Sequence, residues 1–221
     1  MNLHLIPLTA AFVFGMAHTV QAQYNQKGML HLSIGGSVGA HTTELESKFT
    51  ILGVTVTDTE TDGAATTSIP FQVGYAIGNR FTLGLLVEPG RYVPDSADTE
   101  FQTNSFINVA LEPRFYLVNG NRFAWHASLQ LGGAGLRIQD DTPNEVVDAR
   151  YSGSAFGLGS GIAFGLGDHV GIGFDLRYLS TNLELRAMEY NDSSVTDFYA
   201  AKLRTGGVVA QLSLAFRFGG S

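Results

Sequence analysis

Large apolar residues alternate with small or polar ones at a period of two over most of the chain after residue 22. In SAFGLGSGIAFGL, residues 154–166, Phe156, Leu158 and Ile162 share one face, and the opposite face is almost entirely glycine and alanine. This period is typical of β-strands with one apolar face, and no window has the helical period. The alternation predicts eight strands, at about 28–41, 66–78, 80–92, 103–118, 122–138, 151–166, 169–181 and 203–218.

The connections between these strands alternate strictly between short and long. The short ones place Asn or Asp beside Gly, residues that accept the positive φ of tight turns: IGNR at 77–80, VNGNR at 118–122 and LGDH at 166–169. The long, polar ones are 42–65, 93–102, 139–150 and 182–202. In an up-and-down barrel, tight turns at one end, long loops at the other and an even strand number are typical of bacterial outer-membrane proteins.

The composition of the two faces indicates which one points outward. A barrel surrounded by water needs many Lys and Glu outside, but the polar faces here hold mainly Gly, Ala, Ser and Gln. Such small residues suit a narrow lumen, so we expect the apolar faces to contact lipid. The predicted fold is therefore all-β, an eight-stranded antiparallel up-and-down transmembrane β-barrel; the alternative is a soluble barrel with its apolar face inside.

Residues 1–22 differ from the rest of the chain. They contain no Asp, Glu, Lys or Arg, hold the apolar run LIPLTAAFVFGMA and end in VQA. These features predict a signal peptide cleaved after Ala22, with a short membrane anchor as the alternative. The barrel domain is then 23–221, and no later stretch approaches the ~18 consecutive apolar residues of a spanning helix.

The last predicted strand, VVAQLSLAFRF, alternates regularly up to its final aromatic residue. With this strand, the chain after residue 22 resembles the family of small outer-membrane β-barrel proteins typified by the OmpA membrane domain and OmpX. The resemblance implies a place in the bacterial outer membrane, among its lipid and lipopolysaccharide. It also implies that the outer-membrane assembly machinery reads this strand as a signal, through Leu212, Leu214, Phe216 and Phe218. Family members usually end on that aromatic, whereas here 219–221 follow.

Composition excludes several classes of function. The chain has no cysteine, which excludes disulfides, thiolate metal sites and a cysteine nucleophile. Its formal charge is −7, so the chain lacks the excess of basic residues that is typical of nucleic-acid-binding proteins. The acidic residues concentrate in the long loops, where they either solvate the loops or recruit divalent cations near lipopolysaccharide. In the first loop, KFTILGVTVTDTE predicts an outward hairpin whose edge can pair with an extended partner.

Six charged residues fall on the predicted lumen face: Glu88, Glu112, Arg114, Asp175, Arg177 and Arg217. An isolated buried charge is unfavourable, so we expect the three acids and three arginines to pair, as one ion-pair network at mid-barrel depth. Such a network is either a polar plug that rigidifies the lumen or a charged constriction that gates a narrow ion path. Eight strands leave room for little more than side chains.

No candidate catalytic or ligand site meets the requirements of its chemistry. His126 and Ser128 invite comparison with lipid A deacylases, whose chemistry needs a base and a hydroxyl within hydrogen-bond reach and an orienting acid. This pair faces the lumen near the short-turn end, whereas such an enzyme acts on the outer leaflet. His31 and His41 are ten residues apart, so their spacing does not support a metal site. GLGSG and GGAG lie in strands with no following helix, so neither forms a phosphate-binding loop. No cofactor is predicted.

These observations predict a non-enzymatic barrel with a structural or interaction role in the cell envelope and acidic extracellular loops. We expect a monomer, because a closed barrel has no free strand edge in the membrane. The alternative is a narrow porin-like channel for small solutes or apolar molecules, and the third hypothesis is a lipid A-modifying enzyme.

Overall fold

A computed structural model of the chain describes residues 23–51, 54–96, 102–142, 145–191, 193–194 and 199–219. Its strands are β1 (Leu30–Ile51), β2 (Val54–Ser68), β3 (Phe71–Gly78), β4 (Phe81–Pro94), β5 (Gln102–Asn119), β6 (Phe123–Thr142), β7 (Glu145–Gly165), β8 (Val170–Tyr190), β9 (Ser193–Ser194) and β10 (Tyr199–Phe218). The predicted signal peptide, residues 1–22, lies outside the described residues. Within the described ranges, no helix is long and apolar enough to cross a membrane.

The strands form one closed antiparallel sheet, because β10 pairs with both β8 and β1. β2 and β3 occupy the same place in the wall, between β1 and β4, and are interrupted at Ile69 and Pro70. Pro70 has no backbone N–H to donate to a neighbouring strand. Counting β2 and β3 as one interrupted strand and leaving out the two-residue β9, the wall has eight strands. The predicted eight-stranded up-and-down barrel is confirmed.

The apolar face of this wall points outward. Outward side chains such as Leu158 and Leu212 are 59% and 60% exposed, while the residues between them are mostly buried in the barrel. Exposed aromatic residues, including Phe81, Trp125 and Phe164, lie close to the short turns, as in an interfacial girdle. An apolar exterior around a polar interior is the arrangement of a membrane barrel, so the soluble alternative is wrong.

The strands extend well beyond the predicted ends on the long-loop side. Most of the predicted loops 139–150 and 182–202 lies in β6, β7 and β8, and the first loop is the β1–β2 hairpin, paired out to Ile51 and Val54. With 22 residues in β1 and 21 in β8, these strands far exceed the ~9–11 needed to cross the bilayer. The sequence pattern underestimates them because their outward faces are polar where they leave the lipid, so the apolar alternation fades while the backbone ladder continues.

Candidate functional site

The lumen is closed at the short-turn end by residues 23–28, which precede β1. The backbone N–H of Tyr24 donates to the carbonyl oxygen of Gly120 at 2.7 Å. The Asn25 side chain is fully buried and donates to the carbonyl oxygens of Gly78 and Asn79, each at 3.1 Å. Asn119 donates in turn to the Asn25 carbonyl oxygen at 2.7 Å. The asparagines of the short turns therefore hold the segment across the barrel mouth.

Arg217 completes this closure from β10. Its Nη1 donates to the carbonyl oxygen of Tyr24 at 3.2 Å, and its Nη2 donates to that of Gly167 at 2.7 Å. The guanidinium carbon lies 4.2 Å from the centre of the Tyr24 ring, a cation–π distance. Arg217 contacts none of the three predicted acidic partners, so its assignment to a shared ion-pair network is wrong.

Above this closure, Glu112 and Arg114 of β5 form an ion pair. Arg114 Nε lies 2.5 Å from Glu112 Oε1, and Arg114 Nη2 donates to Gln72 Oε1 at 2.6 Å. Gln130 Nε2 donates to the second Glu112 oxygen at 2.6 Å. A buried carboxylate is stable only when paired and hydrogen-bonded, and Glu112 meets both conditions.

Glu88 of β4 pairs with Arg177 of β8 across the lumen. Both side chains are at most 3% exposed. Ser37 and Ser68 donate to Glu88 Oε1 at 2.9 and 2.7 Å, and Arg177 Nη1 donates to Gln211 Oε1 at 2.9 Å. This group draws on β1, β2, β4, β8 and β10, so it ties distant parts of the wall together.

Asp175 pairs with a residue that the parity argument did not assign to it. Its Oδ1 lies 2.9 Å from Nε2 of His126, and both residues are buried. Arg177, two residues away on the same strand face, turns instead to Glu88. The sequence placed His126 in the lumen but offered no sign of this contact, which joins β6 to β8 over Gly161 of the intervening β7.

The six predicted lumen charges thus lie inside the barrel, but they do not form one network. They divide into the Glu112–Arg114 pair, the Glu88–Arg177 pair, the His126–Asp175 contact and the separate Arg217. Glu112 pairs with Arg114, two residues away on β5, whereas Asp175 contacts His126 and Arg177 turns to Glu88. Each carboxylate contacts the partner that its depth and reach allow.

The glycines of β7 provide the space for these side chains. A Cβ atom at Gly161 would lie 2.1 Å from Asp175 Oδ1 and 2.7 Å from His126 Cε1. One at Gly157 would lie 2.9 Å from Gln130 Oε1, and one at Gly159 would lie 2.8 Å from the Arg177 Cβ. The bare face of β7 is therefore covered by polar side chains from β6 and β8, which explains its composition.

An apolar layer closes the lumen on the extracellular side of the charges. It is formed by inward side chains from five strands, each less than 9% exposed: Tyr92, Phe106, Leu136, Tyr151, Leu179 and Leu183. A cavity of about 10 Å³ lies within this layer and one of about 40 Å³ lies among the charged groups below it. Cavities of this size hold at most a few water molecules. The interior is therefore filled at three heights: by residues 23–28, by the charged groups and by the apolar layer.

On the outer surface, beyond the apolar belt, charged residues pair across the extended strands. Asp148 accepts hydrogen bonds from Arg137 at 2.6 Å and from Arg150 at 3.0 Å. The hydrogen bond from Arg137, aided by Arg150, lowers the pKa of Asp148 to about 2. Arg204 reaches Glu44 at 3.2 Å, linking β10 to β1. These exposed pairs lie on strands whose backbone ladders continue outside the lipid, and the ladders hold this part of the sheet together.

Two of the candidate sites considered from the sequence, a metal site and the His126–Ser128 pair, can be compared with the described residues. No cluster of three or more His, Asp or Glu side chains in these ranges is placed to hold a metal ion. The hydrogen bonds of the described residues include none between His126 and Ser128; His126 Nε2 is bound to Asp175 instead. The third hypothesis, a lipid A-modifying enzyme, therefore has no activated hydroxyl at this pair.

No protein-family model and no curated protein sequence matches the chain. Among solved structures, the outer membrane protein OprG from Pseudomonas aeruginosa matches with a TM-score of 0.61 at 13% identity, covering 88% of this chain and 97% of that one. AlkL, an outer membrane protein solved in lipid bilayers, gives 0.51 at 12% identity over 91% and 95%. Neisserial surface protein A gives 0.50 at 12% identity over 83% and 97%. The chain has the fold of small bacterial outer-membrane β-barrels.

Proposed function

We propose that this chain, an outer-membrane β-barrel by its fold, is a non-enzymatic structural and interaction protein of the cell envelope. The observation that carries the proposal is the filled lumen: a buried segment, paired charges and an apolar layer occupy it at three heights, and the cavities among them measure only about 40 and 10 Å³. The strands meanwhile continue far beyond the bilayer, so the barrel supports an extracellular sheet rather than a pore.

The same packing argues against the alternative of a narrow channel. In planar bilayers, we expect the purified protein to show no steady conductance, because ions cannot pass the Glu88–Arg177 pair and the layer above it. A general porin reconstituted in the same bilayers serves as the conducting control, because its wider barrel leaves an aqueous channel. Steady conductance of the unchanged protein that shifts with Glu112→Ala would instead support the channel.

The β1–β2 hairpin is the proposed interaction element. β2 pairs with β1 along its whole length, but on its other side it pairs with β4 only from Ala64 to Ser68. Among the described residues, its outer edge at 54–61 has no ladder partner, and its side chains there are exposed. An exposed edge accepts an extended segment by strand addition, and Asp58 and Glu60 favour a basic one.

Shortening this hairpin tests the interaction role in cells. We expect a strain that lacks the protein to be more sensitive to detergent. Expression of the unchanged chain should restore its resistance. A variant in which an Asn-Gly turn replaces residues 47–58 should insert normally, with the same heat-dependent gel mobility, but fail to restore resistance. Full restoration by the shortened variant would limit the role to the barrel itself.

A further inference from the structure

A groove of about 720 Å³ indents the lipid-facing surface where β2 and β3 are interrupted. Its rim consists of outward apolar side chains from five different parts of the wall: Val38, Ile69, Pro89, Phe174 and Leu212. The origin of this groove lies in the strand pairing.

The groove lies at the break between β2 and β3, where the outward side chains of the two strands leave a gap. β1 pairs with β3 up to Ile34 and with β2 from Ser37 onward, so Gly35 and Gly36 lie opposite the break. A Cβ atom added at Gly36 would meet no atom within 4 Å. No neighbouring side chain fills the space that this glycine leaves.

Arg91 lines the same groove. Along the outward face of β4 it is the first charged residue, and it follows Phe81, Leu83, Leu85, Val87 and Pro89. It lies ten positions beyond Phe81, the first residue of β4. At about 3.3 Å per residue and a tilt of about 40°, that distance rises about 25 Å, the height of the apolar band. The guanidinium therefore lies at the depth of the lipid headgroups.

The Arg91 guanidinium has no ion pair or hydrogen bond with any residue that the structure describes. Outward arginines farther from the membrane differ, since Arg137, Arg150 and Arg204 each contact a carboxylate. An unpaired guanidinium at headgroup depth matches the planar, bidentate geometry of a phosphate. The apolar groove beside it matches an acyl chain.

We propose that this groove is a binding site for a phosphorylated lipid of the outer leaflet, with one acyl chain along the groove and its phosphate on Arg91. The site needs both the groove and Arg91. Any lipid tail can contact an apolar surface, so it is the arginine that makes the site selective for a phosphorylated lipid. The inference rests on the outer-membrane placement of the proposed function and does not depend on the scaffold or interaction role.

Native mass spectrometry of the refolded barrel, titrated with diphosphoryl lipid A, tests the site. We expect Arg91→Gln to weaken binding about tenfold, the loss of one charge-assisted contact. Gly36→Leu fills the groove without changing any charge and should weaken binding to a similar extent. Lipid A stripped of its phosphates should bind the unchanged barrel about tenfold more weakly.

Two matched variants control for general effects. Arg137→Gln removes an outward arginine away from the groove, and Ala127→Leu enlarges an outward side chain on β6. Both should bind like the unchanged protein. Equal affinity for phosphate-free lipid A, or undiminished binding by Arg91→Gln, would overturn the site. Loss of the heat-dependent gel shift in the unchanged protein would instead refute the membrane barrel on which the proposed function rests.

Discussion

Arg177→Met is expected to lower the free energy of unfolding by about 3–5 kcal/mol, because it leaves the Glu88 carboxylate buried without its cation. Methionine fills most of the arginine's volume, so the loss reports the missing charge rather than a cavity. The measurement is urea unfolding in detergent micelles, followed by the fluorescence of Trp125, the chain's single tryptophan. Gel mobility of unheated samples provides a second readout.

Removing the opposite charge should recover much of this loss. In the Glu88→Gln/Arg177→Met double variant, the glutamine oxygen still accepts from Ser37 and Ser68, and no buried charge remains unpaired. We expect the double variant to be at least ~2 kcal/mol more stable than Arg177→Met. Arg186→Met, which breaks the exposed pair with Glu184, should change stability by less than ~1 kcal/mol. Equal losses at Arg177 and Arg186 would contradict the central role of the buried pair.

Gly161→Val is expected to lower the free energy of unfolding by about 3–4 kcal/mol. The new Cβ would overlap Asp175 Oδ1, so the side chain must drive apart the His126–Asp175 contact. The expected loss combines overpacking with a broken charge-assisted hydrogen bond. The same urea titration measures it.

Two further variants separate steric overlap from a general intolerance of valine in these strands. Gly36→Val places its side chain in open space on the outer face and should be within about 0.5 kcal/mol of the unchanged protein. In an Asp175→Ala background, Gly161→Val should cost at least ~1 kcal/mol less, since the overlapping oxygen is gone. An undiminished effect in that background would show that the carboxylate is not the obstacle.

The sequence predicts which residues belong to the candidate site better than it predicts the contacts among them. Parity along each strand assigned Glu88, Glu112, Asp175 and Arg177 to the lumen, because a period of two fixes the face of a side chain. It could not assign Arg177 to Glu88, which lies 89 residues away in the chain. The closure by Tyr24 and Asn25 also escaped prediction, since nothing in an isolated segment before the first strand indicates that it folds into the barrel mouth.

The sequence by itself determined the number of barrel strands, the face that each presents to lipid and the end that carries the short turns. These follow from local alternation and turn chemistry, which are properties of neighbouring residues. Only the tertiary structure decided which charges pair, where strands continue outside the membrane and where a break in pairing opens a groove beside Arg91. Those features depend on which residues of distant strands meet at the same height once the barrel closes.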